Sequence, residues 1–429
     1  MKRILVRGPA LSRSGYGEHT RLVLRSLRSS EEYDIYLICV GWGATGWLYE
    51  NNEEREWIDS LIEKTNKILK FHQEASTNFI ADVSLQVTIP GEWEPLAKVN
   101  IGCTAGIETT KIHSSWVEKS QLMDRIQVVS KHAKYAFDNT VYLAVNEETG
   151  ERIENFKCRV PIDVINYPAE KMEIKELENF EPEAEFNFLT MAQWSPRKNL
   201  EATIKWFVEE FFDNPNVGLI VKTSLRNNSV IDKYYTEERI TELLSQYDNR
   251  ECKIQLLHGD LLESEIQYLY QHPKIKSLIS LSHGEGYGLP LFEAAQNSLP
   301  VIAPNWGGLC DFMHAKVKTK KKNKEKVKPF FAKVDYSIGP IQPQAVWDGV
   351  LIKESKWCFP KEGSYKMKLR MVYKNWKQFK KQAETLKREI MKNFKKEKIY
   401  QQYIDCVEAA CEKLPEDSFR SNEPIIMEL

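Results

Sequence analysis

Short apolar runs alternate with amphipathic stretches along most of the chain, and the alternation predicts strands followed by helices. Lys2 to Arg7 reads as a short buried strand. The loop GPALSRSGYG follows, then a helix from about Glu18 to Arg28 with Leu22, Leu24 and Leu27 as its apolar positions, then the strand YDIYLICVG. Strand, loop, helix and strand in this order predict a parallel α/β sheet. The rhythm continues through FIADVSLQVTI, VNIGCTAG, DRIQVVS and the helical KHAKYAF, and the strand CRVPIDVINY closes this half.

Residues 168 to 185, PAEKMEIKELENFEPEAE, are acidic with a proline near each end, and read as a linker. A second α/β rhythm follows. Its strands are FNFLTMAQW, VGLIVKT, CKIQLLHG, IKSLISLS and PVIAP, and its helices are LEATIKWFVEEFF, ERITELLSQY, SEIQYLYQH and LPLFEAAQNS. The expected layout is a first α/β domain over 1–167, a linker over 168–185 and a second α/β domain over 186–363. Residues 364–429 form a Lys-rich helical segment expected to pack back toward the first domain. Both domains are doubly wound.

Bulk properties narrow the class. A chain of 429 residues is long for one domain and natural for two. The net charge of -1 excludes a chain basic throughout, so any nucleic-acid contact would need a local patch. No apolar run approaches the roughly 18 residues needed to cross a membrane, and the start, MKRILVRGPALSRSG, has too short an apolar core for a signal peptide. The 8 cysteines are scattered singly, with no C-x-x-C pair, and read as reduced thiols. A cytoplasmic location is the expectation, with no metal site.

The stretch HGEGYGLPLFEAA, His283 to Ala295, carries the chemistry. HGEGYG falls at the carboxyl end of the strand IKSLISLS and opens the helix LPLFEAAQNS, and ligands bind at such ends in open α/β sheets. Pro290 suits the first helical position, where a missing N–H costs nothing. The free N–H groups and the positive helix end then suit a phosphate, and Gly286 and Gly288 let the backbone approach it. Glu285 and Glu293 would repel that phosphate, and fit better as acceptors for ligand hydroxyls. Cations come from two other strand ends: Arg197 and Lys198 in SPRKNL, and Lys222 in VKT. Hydroxyls plus a diphosphate describe a nucleotide sugar. The plainer alternative for Glu293 is a first-turn carboxylate stabilised by the helix dipole.

EGYGLPLFEAAQNSLPVIA resembles the E-x7-E signature of family 4-type retaining glycosyltransferases with the GT-B fold, with Glu285 and Glu293 at the two signature positions. SPRKNLEATIKWF is similar to that family's basic turn, and Lys198 matches its lysine. This chain has Gln193 where the family commonly carries an arginine. The resemblance covers most of residues 185 to 315. In the first half it rests on GPALSRSGYG and on the region from IETTKIHSSW to VVSKHAK. It implies two Rossmann-like domains facing across a cleft, and sugar transfer from a nucleotide-diphosphate sugar. Glu293 would bind the ribose and Glu285 the donor-sugar hydroxyls. The backbone of Gly286, Tyr287, Gly288 and Leu289 would contact the diphosphate or the sugar, and Gly15 and Gly17 would face the cleft. The family often has a histidine after the fourth N-terminal strand. Here the residue after that turn is Glu108, the preferred catalytic candidate, and His113 is the second. The alternative for His113 is a polar residue in an exposed loop. The co-substrate replaces any cofactor.

Two rival functions stand beside this one. A glycoside hydrolase would also use two carboxylates, but has no need of a phosphate-binding helix start. A non-catalytic sugar- or nucleotide-binding protein of the same fold is the other, with Gln193 as the feature in its favour. The acceptor is a glycan, lipid or protein hydroxyl, with a hydroxymethylated DNA base as the minority option. That last option rests on AKVKTKKKNKEKVK, residues 315 to 328, which sets eight lysines around one glutamate. The Lys316–Lys328 run reads either as a solvated insertion or as a contact for a polyanion such as nucleic acid.

Overall fold

The computed structural model describes residues 1–145, 150, 152–318 and 325–412. The chain divides into two units. The first holds residues 1–168, 347–355 and, among the described residues, 396–412, and the second holds 169–346 and 356–395.

In the first unit the chain runs β1 (Lys2–Gly8), α1 (Gly15–Arg28), β2 (Tyr33–Cys39), α2 (Glu53–Glu74), β3 (Ala81–Val87), β4 (Ala97–Thr104) and α3 (Ser114–Ser120). It continues through β5 (Arg125–Val128), α4 (Lys131–Asn139), β6 (Tyr142–Val145), β7 (Arg152–Phe156) and β8 (Ile162–Val164). Six strands form a parallel sheet in the order β2-β1-β3-β4-β5-β8. Every residue of β3 is buried, as a central strand covered on both faces requires. The last described helix, Lys396–Cys411, closes this unit against α1: His19 Nε2 and the Tyr403 hydroxyl lie 3.0 Å apart, and the Tyr33 hydroxyl donates to Glu408 at 2.7 Å.

The second unit runs β9 (Phe186–Met191), α5 (Leu200–Phe211), β10 (Val217–Lys222), α6 (Val230–Leu244), β11 (Lys253–Leu257), α7 (Glu263–Gln271) and β12 (Ile275–Ile279). Then come α8 (Leu289–Gln296), β13 (Val301–Pro304), β14 (His314–Lys318), β15 (Glu325–Pro329), β16 (Ala332–Val334), β17 (Tyr336–Pro340), β18 (Lys356–Pro360), α9 (Glu362–Lys374) and α10 (Trp376–Asn393). Its six-stranded parallel sheet has the order β11-β10-β9-β12-β13-β16. Phe188 of β9 meets Phe207 and Phe211 of α5 at ring separations of 5.7 and 5.8 Å, at the centre of an apolar cluster with Leu219, Val221 and Ile279. Each unit is Rossmann-like and doubly wound. In each, the strand order reverses at one place: beside β1 in the first sheet, and between β9 and β12 in the second. A crevice at the carboxyl ends of the strands opens at such a point.

Several elements differ from the sequence reading. Helix α1 begins at Gly15, earlier than Glu18, because Ser14 caps it through a hydrogen bond from Gly17 N. Helix α2, with Asn52 as its cap and Glu53, Glu54 and Glu56 in its first turn, has no counterpart in that reading. It buries only Ile58, Leu61 and Thr65, so its apolar stripe is thin. Within CRVPIDVINY only Ile162–Val164 is strand, and β6 with β7 forms an antiparallel hairpin before it. Beyond Pro168 the acidic stretch read as a linker lies on the second unit: Ala169 N donates to Phe394 O at 2.7 Å and Lys175 N to Ser264 O at 3.1 Å. Part of the lysine run is an antiparallel hairpin, with Ala315 opposite Lys328 and Lys316 opposite Val327. Lys320, Lys321, Lys322 and Lys324 lie outside the described residues, as does the end of the helical segment beyond residue 412.

Candidate functional site

The turn after β9 and the loop after β12 meet at the switch point of the second sheet. Pro196–Lys198 form a single tight turn, and Asn199 takes a left-handed φ of 53° between that turn and α5. The two segments are joined by backbone and side-chain bonds: His283 N donates to Arg197 O at 2.8 Å, and Asn199 Nδ2 donates to Leu281 O at 3.3 Å. Arg197 and Lys198 therefore arrive beside Glu285. Lys198 Nζ lies 2.5 Å from Glu285 Oε1, and Arg197 Nη1 lies 3.3 Å from Oε2 and 2.8 Å from Gly284 O. The Glu285 side chain is only 12% exposed. Burial alone pushes its carboxyl up, but Lys198 and Arg197 beside it, with hydrogen bonds from Lys198 and Ser282, outweigh burial and bring it down to about 2. Glu285 is thus a carboxylate at any physiological pH.

The loop is held from its other side by glycines that the sequence reading passed over. Gly308 N donates to Glu285 O at 2.8 Å. A Cβ on Gly308 would stand 2.0 Å from Gly286 O, which is backbone and cannot step aside. Gly308→Ala is accordingly expected to destabilise the protein by about 2–3 kcal/mol, as overpacking against a fixed neighbour does. Because the displaced segment carries Glu285, ligand affinity should fall with it. Parallel melting and ligand-binding measurements check this, and an unchanged melting temperature would contradict it. On the far side, His283 stacks on Trp357 at 5.1 Å, and its Nδ1 donates to Cys358 O at 2.7 Å.

Helix α8 begins at Leu289, as the run LPLFEAAQNS suggests, but Pro290 is its second residue and not its first. Gly288, at φ 95°, turns the chain into it. Glu293 then falls in the second turn, where the dipole of the helix start has faded, so the first-turn account of Glu293 does not hold. Its carboxylate instead accepts the Tyr270 hydroxyl at 2.9 Å. Tyr270 is buried on α7, and burial followed by the Glu293 charge pushes its phenol well above the ordinary range. The sequence offers no sign of this partner, since Tyr270 reads as one more apolar position of its helix.

Three further residues singled out in the sequence have side chains engaged with other parts of the second unit. The Tyr287 ring is buried against Phe292 and Phe312, at 5.3 and 5.0 Å, so only its backbone is left to face a ligand. Lys222, at the end of β10, donates to Gly259 O at 2.7 Å, one strand away from β9. Gln193 is exposed, and its amide donates to the carbonyls of Leu225 and Arg226 at 3.3 and 3.2 Å, pinning the loop after β10. That loop is also organised by buried Asp232, which accepts from the backbone N–H of Leu225, Arg226 and Asn227 and from His258.

In the first unit, Gly15 is exposed with open space around it, whereas Gly17 is a packing glycine: a Cβ there would lie 1.9 Å from Ser12 O. Between them stands Tyr16, whose hydroxyl bonds Thr104 Oγ1 at 2.7 Å and accepts from Gly106 N at 3.3 Å. Tyr16 thereby ties the start of α1 to the loop after β4, where half-buried Glu108 lies. Burial raises the Tyr16 phenol well above its ordinary range, and the Glu108 charge adds to this. His113 is not brought into that group by any bond: it caps α3, accepting from Ser115 N at 3.1 Å, which is a structural role. Among the described residues no group of His, Cys, Asp or Glu side chains is gathered to hold a metal ion, and no helix is long and apolar enough to cross a membrane.

No protein-family model matches the chain, and no curated protein matches it by sequence. Solved structures do match its fold. Sucrose-phosphate synthase from Thermosynechococcus elongatus superposes with a TM-score of 0.60 at 10% identity, covering 96% of this chain and 100% of that one. Anabaena HepE in complex with UDP-glucose gives 0.55 at 12% identity, over 95% and 100% of the two chains. The apo form of the lipopolysaccharide outer core galactosyltransferase WaaB gives 0.50 at 12%, over 96% and 100%. The fold is that of the GT-B glycosyltransferases, and it extends over both units.

Proposed function

We propose that the chain is a retaining glycosyltransferase that moves a sugar from a nucleotide-diphosphate sugar to an acceptor hydroxyl. The observation that carries this reading is the meeting of Glu285 with Lys198 and Arg197 at the switch point of the second sheet. Two cations and a carboxylate at one strand-end crevice suit a ligand that brings both a diphosphate and hydroxyls. The fold adds support, since HepE of the same fold was solved with UDP-glucose.

In this account the second unit holds the donor. Lys198 and Arg197 turn to the diphosphate, and Glu285, released from them, accepts the hydroxyls of the donor sugar. Glu293, oriented by Tyr270, accepts the ribose hydroxyls. The sugar C1 leaves its phosphate oxygen and bonds to the acceptor oxygen on the same face of the ring, while the acceptor proton passes to the departing phosphate oxygen. The protein aligns the partners and stabilises the charge that grows on the leaving group. Glu108, in the first unit, is assigned to the acceptor side.

The alternative is a nucleotide-sugar-binding protein without turnover. Gln193 favours it, because the position supplies a neutral amide engaged with backbone carbonyls in place of a cation. A nucleotide-sugar screen by thermal stabilisation, followed by a turnover assay on the hit, separates the two. In the same screen Glu293→Ala is expected to weaken the hit about tenfold to a hundredfold, the size of a lost charge-assisted hydrogen bond. Its melting temperature without ligand should also fall, because the buried Tyr270 hydroxyl loses its acceptor, so the affinities are compared well below the melting range of both proteins. Equal affinity in both proteins would remove Glu293 from the site.

A further inference from the structure

The loop after β2 reads GWGATGWLYE and places three aromatic side chains within eight residues, Trp42, Trp47 and Tyr49. Trp47 is 62% exposed and Tyr49 54%. Such exposure would be unremarkable on a loose loop, but this loop is strapped down. Arg13 N donates to Gly46 O and Leu48 N donates to Leu11 O, both at 2.8 Å, and Ser12 pairs with Trp47 in an antiparallel bridge. Thr45 Oγ1 adds a bond of 2.7 Å to Ser12 Oγ. The segment is therefore fixed over the loop that follows β1, at the carboxyl edge of the first sheet. Trp42 packs against Tyr16 with ring centroids 4.3 Å apart and planes tilted by 35°, and Tyr16 reaches the loop that carries Glu108 through Thr104 and Gly106. An ordered backbone holding large aromatic faces in water, beside a switch point, is built to meet something.

Charge selects among the ligands that stack on aromatic faces. Arg13, the cation beside the platform, lies over Tyr49 at 5.0 Å and is matched by Glu50 at 3.5 Å. Arg25 is matched by Glu18 and Glu54, and Arg55 by Asp59. Glu53 and Glu56 add negative charge at the start of the helix that follows. This border repels a phosphate backbone, so nucleic acid is disfavoured here. A neutral sugar fits: the C–H face of a pyranose is weakly positive and lies on the negative face of an indole, while Arg13 and Glu50 offer a donor and an acceptor for its hydroxyls.

We propose that Trp47, Tyr49 and Trp42 form an acceptor platform for a neutral oligosaccharide. The identification as an acceptor site rests on the glycosyltransferase reading; the sugar binding itself does not. Two measurements keep them apart. The first is direct binding of uncharged glucan, xylan, mannan and chitin hexasaccharides, followed by tryptophan fluorescence and isothermal calorimetry without any donor. The expected result is saturable binding of at least one of them, weakened at least about tenfold in Trp47→Ala, the effect of truncating an aromatic anchor. The second is transfer from the cognate donor, where Trp47→Ala should raise the KM for that oligosaccharide to the same extent. The rate at which the donor is hydrolysed without acceptor should be unchanged. Binding without donor turnover in the parent protein would uphold the platform and remove the transferase reading. Binding of none of the hexasaccharides, equal binding by Trp47→Ala, or capture of duplex DNA in their place would overturn the platform.

Discussion

Lys198→Ala is expected to lower kcat/KM for sugar transfer by about a hundredfold to a thousandfold, the loss seen when one charge-stabilising donor is taken from a reacting centre. Lys198 is the stronger of the two cations on Glu285 and the closer, at 2.5 Å against 3.3 Å for Arg197. In the proposed reaction it serves the ground-state diphosphate and, more strongly, the leaving group. Donor affinity should therefore fall as well, but by less than turnover does, because only interactions that strengthen in the transition state change the chemical step. Steady-state kinetics paired with calorimetry on the nucleotide separate the two losses. A variant with weakened binding and full kcat would make Lys198 a binding residue only.

The second large effect is that of Glu285→Gln, and it should run in the opposite direction for the nucleotide. In the structure Glu285 neutralises Lys198 and Arg197, so a diphosphate must compete with it for both cations. Removing the charge frees them, and the affinity for the nucleoside diphosphate should hold or rise. Transfer should fall by at least about a hundredfold, because the donor sugar loses its charged acceptor and its alignment. The same variant has a pH signature. The Glu285 carboxyl sits at about 2 against an ordinary value of 4.5, so its folded pKa is depressed. Its contribution to stability is complete above pH about 4.5 and is lost as the pH falls toward 2, at roughly 3 kcal/mol for a shift of this size. The Gln variant should therefore be less stable than the parent near neutrality and approach it in acid. Acid titrations of the two proteins that stay parallel from pH 7 to 2 would contradict the ion-pair assignment.

The fold was legible because both sheets are parallel and buried. Their strands are continuous apolar runs, such as VGLIVK and IKSLI, and helices with broad apolar faces separate them, such as LEATIKWFVEEF. The elements that escaped are those whose pattern is weak. Helix α2 buries a thin stripe among many charges, and the hairpins of the lysine run and of Tyr142–Phe156 are exposed ladders with little apolar alternation. The basic turn and the glutamate of the second unit could be found because strand-end chemistry is local: SPRK and HGEG each sit directly after a strand. What brings them together is not local. The Arg197–His283 backbone bond and the Gly308–Gly286 approach join residues far apart in sequence, and no periodicity announces them. The misplacement of Glu293 came from a single residue, since Leu289 and not Pro290 is the first of the helix after the turn at Gly288. His113 shows the opposite limit, where a residue type that suits catalysis is occupied in holding a helix end.

Sugar transfer with retention is the central claim, and the anomeric configuration of the product tests it most directly. The protein is incubated with the nucleotide sugar that stabilises it and with an oligosaccharide acceptor, and the new linkage is read from its anomeric proton coupling by NMR. A linkage of the same configuration as the donor is the predicted result. A linkage of inverted configuration, or failure to consume any nucleotide sugar that binds, would contradict the account.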